Sequence, residues 1–599
     1  MAKRKAPQIK PRLDPESEAW NKIPWRKLEQ HCFRIQKRIF RASQRGNTRA
    51  VHKLQKLLMK SQAARLLAVR RVTQDNQGKK TAGIDGIKSV KPAGRLVMAN
   101  HIHPKNWKAT SPPVRRVWIP KPGKAEKRPL GIPVMEERAR QHLAKLALEP
   151  EWEALFEPNS YGFRPGRSCH DAVEAIFDAI KQKDKYVLDA DLKGAFDNIN
   201  HQALLKKLNT YPAMKRAIQA WLEAGAIDKE VFEETKSGTP QGGTISPLLM
   251  NVALHGMETV VMEAFRTKEG KPQFVRYADD LVVFHATEEG VKRAQTVLET
   301  WLTDMGLELK PSKTKITHTL RPYQGTVGFE FLGFAIRQFQ VGKTHTGKNT
   351  WGKPLGFKTI ISPSKGAIER HMHEIGKSIR KLRSASQQDL IQTLNPIIRG
   401  WANYHRTVVA AKTFSLCDHL VYQQLRRWAY RRHPTKGRQW VIKKYWNMEP
   451  GASWVFRDQQ GHVLKRHNAR PIQRHTKVRG TASPYDGDFL YWSTRLKRYP
   501  MLSGTMGKLL QKQQGKCRWC GLLFKDEDQI EIDHITPKSE GGGEELSNKF
   551  ALHRHCHDQR HARRAETSIR DKDHMIEEPD DANVSRPVLK PSMRGNPHA

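Results

Sequence analysis

Negative charge is what this sequence lacks most. Its 599 residues hold 60 Asp plus Glu against 106 Lys plus Arg, a formal net charge of +46. Solubility needs far less, so the imbalance points to a polyanionic partner, with nucleic acid ahead of a plain solvated surface or an anionic membrane. Long apolar runs are also missing. None approaches the roughly 18 residues of a membrane span, and no basic amphipathic helix with a broad apolar face stands out. The opening "MAKRKAPQIKPRLDPESE" has no apolar centre of the kind a secretory signal carries. A soluble, intracellular protein with no membrane partner is expected. Cysteine is scarce, with six in all. Cys32, Cys169 and Cys417 are scattered while Cys517, Cys520 and Cys556 cluster, a pattern that suits a metal site in a reducing compartment and not a disulfide framework. No internal repeat is found.

What is present is length and mixed patterning. A chain this long exceeds one hydrophobic core and predicts about three to five domains. Residues 1–80 are basic and broken, with a helix expected at "WRKLEQHCFRIQKRIFRASQ". Over 81–345 helical patterns alternate with short β-like runs, an α+β core. Val173, Ile176, Phe177 and Ile180 follow one-sided helical spacing, whereas "YVLDADL" and "FVRYADDLVVF" are β-branched and aromatic over strand lengths. Residues 361–480 carry 24 Lys or Arg against 6 Asp or Glu, interleaved with Trp401, Trp428, Trp440, Trp446 and Trp454. Cations that neutralise phosphate beside aromatic faces read as a nucleic-acid surface, although each tryptophan fits helix core equally well. The Gly, Pro and charge-rich stretch 478–504 reads as a linker, and the polar residues 566–599 as a disordered tail.

In "FVRYADDLVVF" the flanking apolar residues can pair as a hairpin with Ala278, Asp279 and Asp280 at or near its tip. Adjacent carboxylates there repel unless a cation neutralises them. A second β-like run, "VLDADLKGAFDNI", also ends in carboxylates: Asp189, Asp191 and then Asp197. Side by side, the two strands would let Asp191 and Asp279 hold a pair of Mg²⁺ ions, one for a primer 3′-hydroxyl and one for a leaving pyrophosphate. Lys121 and Arg128 flank a Gly-containing turn as fixed cations for a triphosphate. In "GTPQGG", Gly238, Gly242 and Gly243 permit close backbone approach to a base pair, and Gln241 offers a donor and an acceptor beside an incoming nucleotide.

Taken in order, "IPKPGKAEKRPLGIP", "NSYGFRPGRSCHDA", "VLDADLKGAFDNI", "GTPQGGTISPLLMNVAL", "RYADDLVVF", "GLELKPSKTKI" and "FEFLGFAI" resemble the fingers and palm motifs of reverse transcriptases, most closely the group II intron maturase branch. The resemblance implies a right-hand polymerase fold with Asp191, Asp279 and Asp280 as metal-binding carboxylates and dNTPs as substrates. It implies that Phe196 is the bulky residue under the sugar that selects deoxynucleotides, while Asp189 and Asp197 support local structure. Lys313 resembles the basic residue after the catalytic hairpin, with two further lysines nearby.

"TLNPIIRGWANYHR" resembles the thumb signature of the same branch, which is associated with binding the parent intron RNA and helping it splice. Arg399, Trp401 and Tyr404, with Pro396, would form an RNA-facing helix; a packed helix accounts for Trp401 equally well. "LRRWAYRRHPTKGRQWVIKKYW" would extend the basic surface toward DNA. Farther on, Cys517 with Cys520 and His553 with Cys556 form two x₂-spaced pairs, a tetrahedral Zn²⁺ set. Between them "EIDHITPKSEGG", followed by Asn548 and then His557, resembles the HNH endonuclease family. That implies Asp533 and His557 as ligands of one divalent catalytic metal in a ββα element, His534 as general base and Asn548 as the residue that orients it. His561, one helical turn past His557, is a further ligand or a phosphate contact. A zinc knuckle that only binds DNA would leave the Asp533–His534 pair unexplained.

The expected order is a basic N-terminal extension (1–80), fingers and palm (81–345), a maturase thumb (360–425), a basic DNA-binding segment (426–500), an HNH domain (505–565) and a tail (566–599). The expected function is a group II intron-encoded protein: RNA-directed DNA polymerase, maturase and nuclease that nicks double-stranded target DNA to prime synthesis. A bacterial cytoplasm near the nucleoid is the expected setting, with an organelle left open. A stand-alone or defence-associated reverse transcriptase would need neither "IIRGWANYH" nor an appended HNH segment. A splicing factor without polymerase activity would not need "YADD" together with Asp191.

Overall fold

The computed structural model describes residues 19–120, 126–229, 231–266, 270–342, 344–447, 455–469, 471–495, 504–522, 524, 528, 530–554 and 556–561. Lys121, Trp454 and the expected tail lie outside them. The chain forms two compact units, divided between Gly487 and Asp488.

The first unit begins with helices α1 (Trp25–Gln44), α2 (Thr48–Lys60) and α3 (Gln62–Arg70). α1 covers the expected segment because Cys32, Phe33, Ile35, Ile39 and Phe40 recur at helical spacing and are buried. Asn47 and Ser61 cap the next two helices, their side chains accepting from the amides of Ala50 and Ala64. All three pack with α4 (Met135–Glu153), and polar cross-links fix the register. Gln36 Nε2 donates to the Leu146 carbonyl at 2.9 Å, Ser43 Oγ to that of Glu151 at 2.9 Å, and Gln55 Nε2 to the Glu151 carboxylate at 2.6 Å. The segment read as a broken extension is therefore a layer of the main core: Ile39, Leu58 and Val69 share one apolar cluster with Leu143, Leu188 and Val283.

Strands β1 (Val114–Pro120), β2 (Lys127–Ile132), β3 (Tyr186–Asp191), β4 (Ala226–Asp228), β5 (Val231–Glu233), β6 (Gln273–Tyr277), β7 (Asp280–His285) and β8 (Lys315–His318) build two four-stranded sheets. Their orders are β2-β1-β4-β5 and β6-β7-β3-β8, the second wholly antiparallel. Helices α5 (Cys169–Ile180) and α6 (Glu288–Thr303) pack on this second sheet. Burial on both sides explains why β7 reads as a continuous apolar run and not as an alternation.

Beyond a three-stranded antiparallel sheet, β9 (Phe329–Phe331), β10 (Phe334–Gln340) and β11 (Phe357–Pro363), come α7 (Lys365–Lys381), α8 (Gln387–His405) and α9 (Ala411–Arg432). A second apolar cluster, with Ile375, Leu394, Leu425 and Trp428 in it, holds these three helices together. α8 starts on a capping box between Ser386 and Asp389.

The expected linker at 478–504 is corrected over its described first part. Residues 475–487 strap back across the first unit and are docked by specific contacts. Asp171 accepts from the Val478 amide at 2.7 Å and lies 3.0 Å from His475 Nε2. Arg167 donates to the carbonyls of Gly480 and Ala482 at 2.8 and 3.3 Å. Tyr485 is buried against Phe33 and Phe40, its hydroxyl donating to Glu149 at 3.0 Å. Glycine and proline there shape a docked strap, because its side-chain partners come from distant parts of the chain.

The second unit carries helix α10 (Gly504–Lys512), antiparallel strands β12 (Ile530–His534) and β13 (Lys549–His553), and a helical turn over 556–561. The strap makes a stability prediction. A chain ending at Gly487 should keep the melting midpoint of the first unit, whereas one ending at Arg470 loses the burial of Val478 and Tyr485, worth about 3–6 kcal/mol together, and should melt lower by scanning fluorimetry. Equal midpoints would show that the strap is dispensable.

Candidate functional site

The antiparallel register between β3 and β7 sets Asp191 directly opposite Asp280. Directly opposed residues point to the same face of a sheet, and Asp189, two residues before Asp191, shares it. The β6–β7 hairpin closes through Ala278 and Asp279, since Tyr277 pairs with Asp280. Ala278 is left-handed, at φ +59°. Three carboxylates thus line one face and a fourth sits in the adjoining turn. Burial, reinforced by Asp279 and Asp191, pushes Asp280 up to about 7. Burial and the Asp280 charge push Asp189 equally far, to about 7. Asp279 is raised by burial and Asp191, with Arg128 and Lys313 opposing. These are hard oxygen donors of the kind a divalent cation takes, although they are not among the groups of described residues whose ligand atoms all lie within 4.8 Å of one another.

A strained turn needs support, and a buried network supplies it. Arg276, fully buried, donates through Nη1 to the Ala278 carbonyl at 3.1 Å and to Asn251 Oδ1 at 3.2 Å, and through Nη2 to Ser160 Oγ at 2.8 Å. Burial draws its guanidinium down to about 10, opposed by the charges of Glu157 and Glu258. The "NSYG" segment runs alongside: the Arg276 amide donates to Asn159 O and the Tyr161 amide to Arg276 O, both at 2.9 Å. Only glycine fits at 162, where an added Cβ would lie 2.3 Å from the Ala278 nitrogen. None of this network was apparent from the sequence, because its members come from separate segments.

Around the carboxylates, Lys313 is distinguished from its neighbouring lysines by an ion pair with Asp191. The Lys310 amide also donates to the Asp191 carbonyl at 2.8 Å. Arg128 lies on β2 opposite Ile119, exposed. Phe196 is half-buried in the short helix Ala195–Asn198, edge-on to the exposed ring of Phe163 at 6.3 Å. Gln241 Nε2 donates to both oxygens of Asp197, at 2.9 and 3.0 Å, so Asp197 holds that amide in place. The close approach the "GTPQGG" glycines permit is to the protein itself. A Cβ on Gly242 would meet the Gly131 carbonyl at 2.3 Å, and one on Gly238 the Phe196 carbonyl at 2.5 Å.

The aromatic residues of α8 have partners within the protein. Trp401 stacks flat on His371 at 4.5 Å and also meets His405, Phe414 and His467. Tyr404 stacks on Phe334 and donates to the Leu332 carbonyl at 2.9 Å. Both rings are half-buried and join α8 to α7 and to the three-stranded sheet. Arg399 is exposed on the same helix. Trp428 and Trp446 are core, whereas Trp440 is exposed between Lys436 and Lys444.

In the second unit the ligand atoms of Cys517, Cys520, His553 and Cys556 lie within 4.8 Å of one another. His553 Nδ1 is 3.4 Å from Cys520 Sγ and 3.9 Å from Cys556 Sγ, while its Nε2 is 3.3 Å from the Asp528 carboxylate. An orienting carboxylate behind a histidine is the usual support of a metal ligand; Asp528 had gone unnoticed in the sequence. Burial tends to raise the Cys517 thiol, but backbone hydrogen bonds of Cys520, His553 and Trp519 outweigh it and lower the pKa. The donor set fits a thiophilic cation.

Asp533, His557 and His561 form a second group within the same 4.8 Å limit. His534 follows Asp533 at the end of β12, and its buried Nε2 has no hydrogen-bond partner among the described residues. Asn548 ties the intervening loop: it accepts from the Thr536 amide at 2.9 Å and donates to the carbonyls of Thr536 and Gly543 at 3.0 and 2.8 Å. Among the described residues no hydrogen bond joins its side chain to the His534 ring. Arg560, missed in the sequence, ion-pairs with Asp533 and donates to the carbonyls of His534 and Ile535, both at 3.0 Å.

Comparison with known proteins agrees with this geometry. Residues 20–102 match the N-terminal domain of reverse transcriptase and 119–336 match the reverse transcriptase (RNA-dependent DNA polymerase) family. Residues 368–446 match the group II intron maturase-specific domain, and 517–563 the HNH endonuclease family. Protein YkfC of Escherichia coli is 31% identical over 335 residues, 47% of this chain and 83% of that protein. The group II intron-encoded protein LtrA of Lactococcus lactis is 26% identical over 385 residues, 52% of this chain and 63% of its own length. Maturase-like protein 1 of Euglena gracilis is 27% identical over 390 residues, 64% of this chain and 76% of that protein. Family matches in this order, on a sheet that pairs Asp191 with Asp280, have one reading: the chain belongs to the reverse transcriptase and maturase family of group II intron-encoded proteins and carries an HNH endonuclease domain.

Proposed function

We propose that the protein works in three ways on one nucleic-acid path. It assists splicing of its intron RNA, nicks double-stranded target DNA, and extends the new 3′ end with dNTPs on the RNA template. The observation that carries the polymerase part is the register of Asp191 opposite Asp280 beside Asp279 in the hairpin turn. These three are the residues we assign to Mg²⁺. Bound there, Mg²⁺ supplies neutralisation of charge on the transferring phosphoryl group. Lys313, paired with Asp191, positions that carboxylate. Arg128 meets the triphosphate on the β1–β2 hairpin, with Lys121 assigned the same role from the sequence. Phe196 sits under the sugar and selects deoxyribose by crowding a 2′-hydroxyl, its ring backed by Phe163. Gln241, held by Asp197, lies beside the incoming nucleotide.

The helices α7 to α9 act as the thumb, with Arg399 on the RNA side and the basic segment after α9 toward DNA. Cys517, Cys520, His553 and Cys556 hold Zn²⁺ and knit the nuclease unit together. Asp533 and His557, with His561, hold one divalent metal, and His534 takes the proton from the attacking water. Among the described residues no helix is long and apolar enough to cross a membrane. We place the protein with its RNA and target DNA, at the nucleoid of a bacterial cytoplasm or in an organelle.

The decisive test is primer extension on an RNA template. Asp279→Ala should lower it by about 10³-fold or more while leaving RNA affinity within about twofold; loss of both would refute separable functions. Phe196→Ala should raise ribonucleotide incorporation by about tenfold or more, and unchanged sugar selection would remove it from that role. His534→Ala should stop DNA nicking while leaving extension of a supplied primer intact.

A further inference from the structure

A pocket of about 570 Å³ lies between α2, the segment 103–109 and the helix Pro212–Leu222. It shares no residue with the carboxylate site. Lys56, Lys60, Lys105, Lys108 and Arg216 line it, all exposed, and among the described residues no Asp or Glu joins them. None of the five makes an ion pair among the described residues. Elsewhere in the molecule basic side chains do find acids, as Arg140 does with Glu136 and Glu137. Here they stand as a like-charged rim, and the neighbouring His103 registers the field: burial, then the charges of Arg65, Lys105 and Lys60, lower its pKa.

The interior is of another kind. Trp107, Tyr211 and Met214 line it, with Tyr211 and Met214 buried and Lys56 Nζ 4.8 Å from the Tyr211 ring centroid. Trp107 is anchored by donating to the Ile102 carbonyl at 2.9 Å and by an edge contact with Trp221 at 5.6 Å. The volume falls in the roughly 300–1,000 Å³ range of ligand pockets. An apolar, aromatic interior under a rim of unpaired cations matches a base flanked by phosphates. Bases splayed out of single-stranded RNA are captured this way, by stacking inside and electrostatics outside.

We infer that this pocket takes an extruded nucleotide of single-stranded RNA, with its base against Trp107 and Tyr211 and its phosphates against the lysine and arginine rim. The inference rests on the reading of RNA as a partner.

The test uses the full chain and a short unstructured RNA, with an abasic ribose-phosphate strand of equal length and a DNA strand of the same sequence for comparison. Wild type should bind the RNA about tenfold more tightly than the abasic strand. Ala213→Trp fills the pocket from an exposed helical position and should erase that preference with the melting midpoint unchanged. Lys60→Glu with Lys105→Glu should weaken RNA binding about tenfold or more, in a salt-dependent way, while extension of a preformed primer–template stays within about twofold. Equal binding of abasic strand and RNA by wild type would overturn the base pocket, as would an undiminished preference in Ala213→Trp. A DNA strand bound as tightly and lost with the same variants would overturn the assignment to RNA. No RNA binding by wild type would instead sink the RNA-partner reading itself.

Discussion

The candidate polymerase site depends on one buried cation. Arg276 lies directly under the hairpin turn, where its guanidinium holds the Ala278 carbonyl, Asn251 and Ser160 at once. Above it, carboxylates of like charge are packed so closely that burial and mutual repulsion raise Asp280 to about 7. Such an arrangement has no intrinsic tendency to persist. The charges of Glu157 and Glu258 offset the cost of burying the Arg276 guanidinium. The turn is therefore held from below by several hydrogen bonds at once. Gly162 completes the arrangement by letting backbone meet backbone beside a left-handed alanine.

The same economy recurs in the second unit with the signs rearranged. Asp533 is pinned by Arg560, which also gathers the carbonyls that follow His534, so strand end and helix meet in one geometry. His557, Arg560 and His561 are spaced i, i+3 and i+4, which places the two candidate metal donors and the arginine clamp on one helical face. His553 is held from behind by Asp528 in a comparable way. In a chain of +46, some of the acids gather at the two candidate sites, as Asp189, Asp191, Asp279 and Asp280 do in the first unit and Asp533 in the second. The surplus of positive charge is left to rims and exposed helices, free to meet phosphate.

Reading the sequence anticipated which residues come together where they are contiguous or regularly spaced. "YADD", the strand ending in Asp191, "CRWC" with "HRHC", and Asp533–His534 are each a few residues long, and their spacing already dictates which atoms can converge. It was weaker where a side chain's partner is remote. Trp401 and Tyr404 look like stacking residues in isolation, yet their faces are taken by His371 and Phe334. The Gly- and Pro-containing stretch after Val478 looks like a linker, but Asp171, Arg167 and Glu149 dock it. The three lysines around 313 are equivalent in sequence, and only the fold brings one of them to Asp191.

The sequence by itself pointed to a polyanionic partner through net charge and to a metal set through paired cysteine and histidine spacings, while its ordered motifs carried the resemblance to a polymerase and to an HNH nuclease. These are properties of residue type and local spacing, which strand and helix periods translate directly into geometry. Only the tertiary structure decided how the carboxylates are held, which aromatics face inward, and where unpaired cations gather over an apolar pocket. Those outcomes turn on contacts between segments well separated in the chain, from 30 residues for Trp401 and His371 to 116 for Arg276 and Ser160, and no local pattern encodes such a contact.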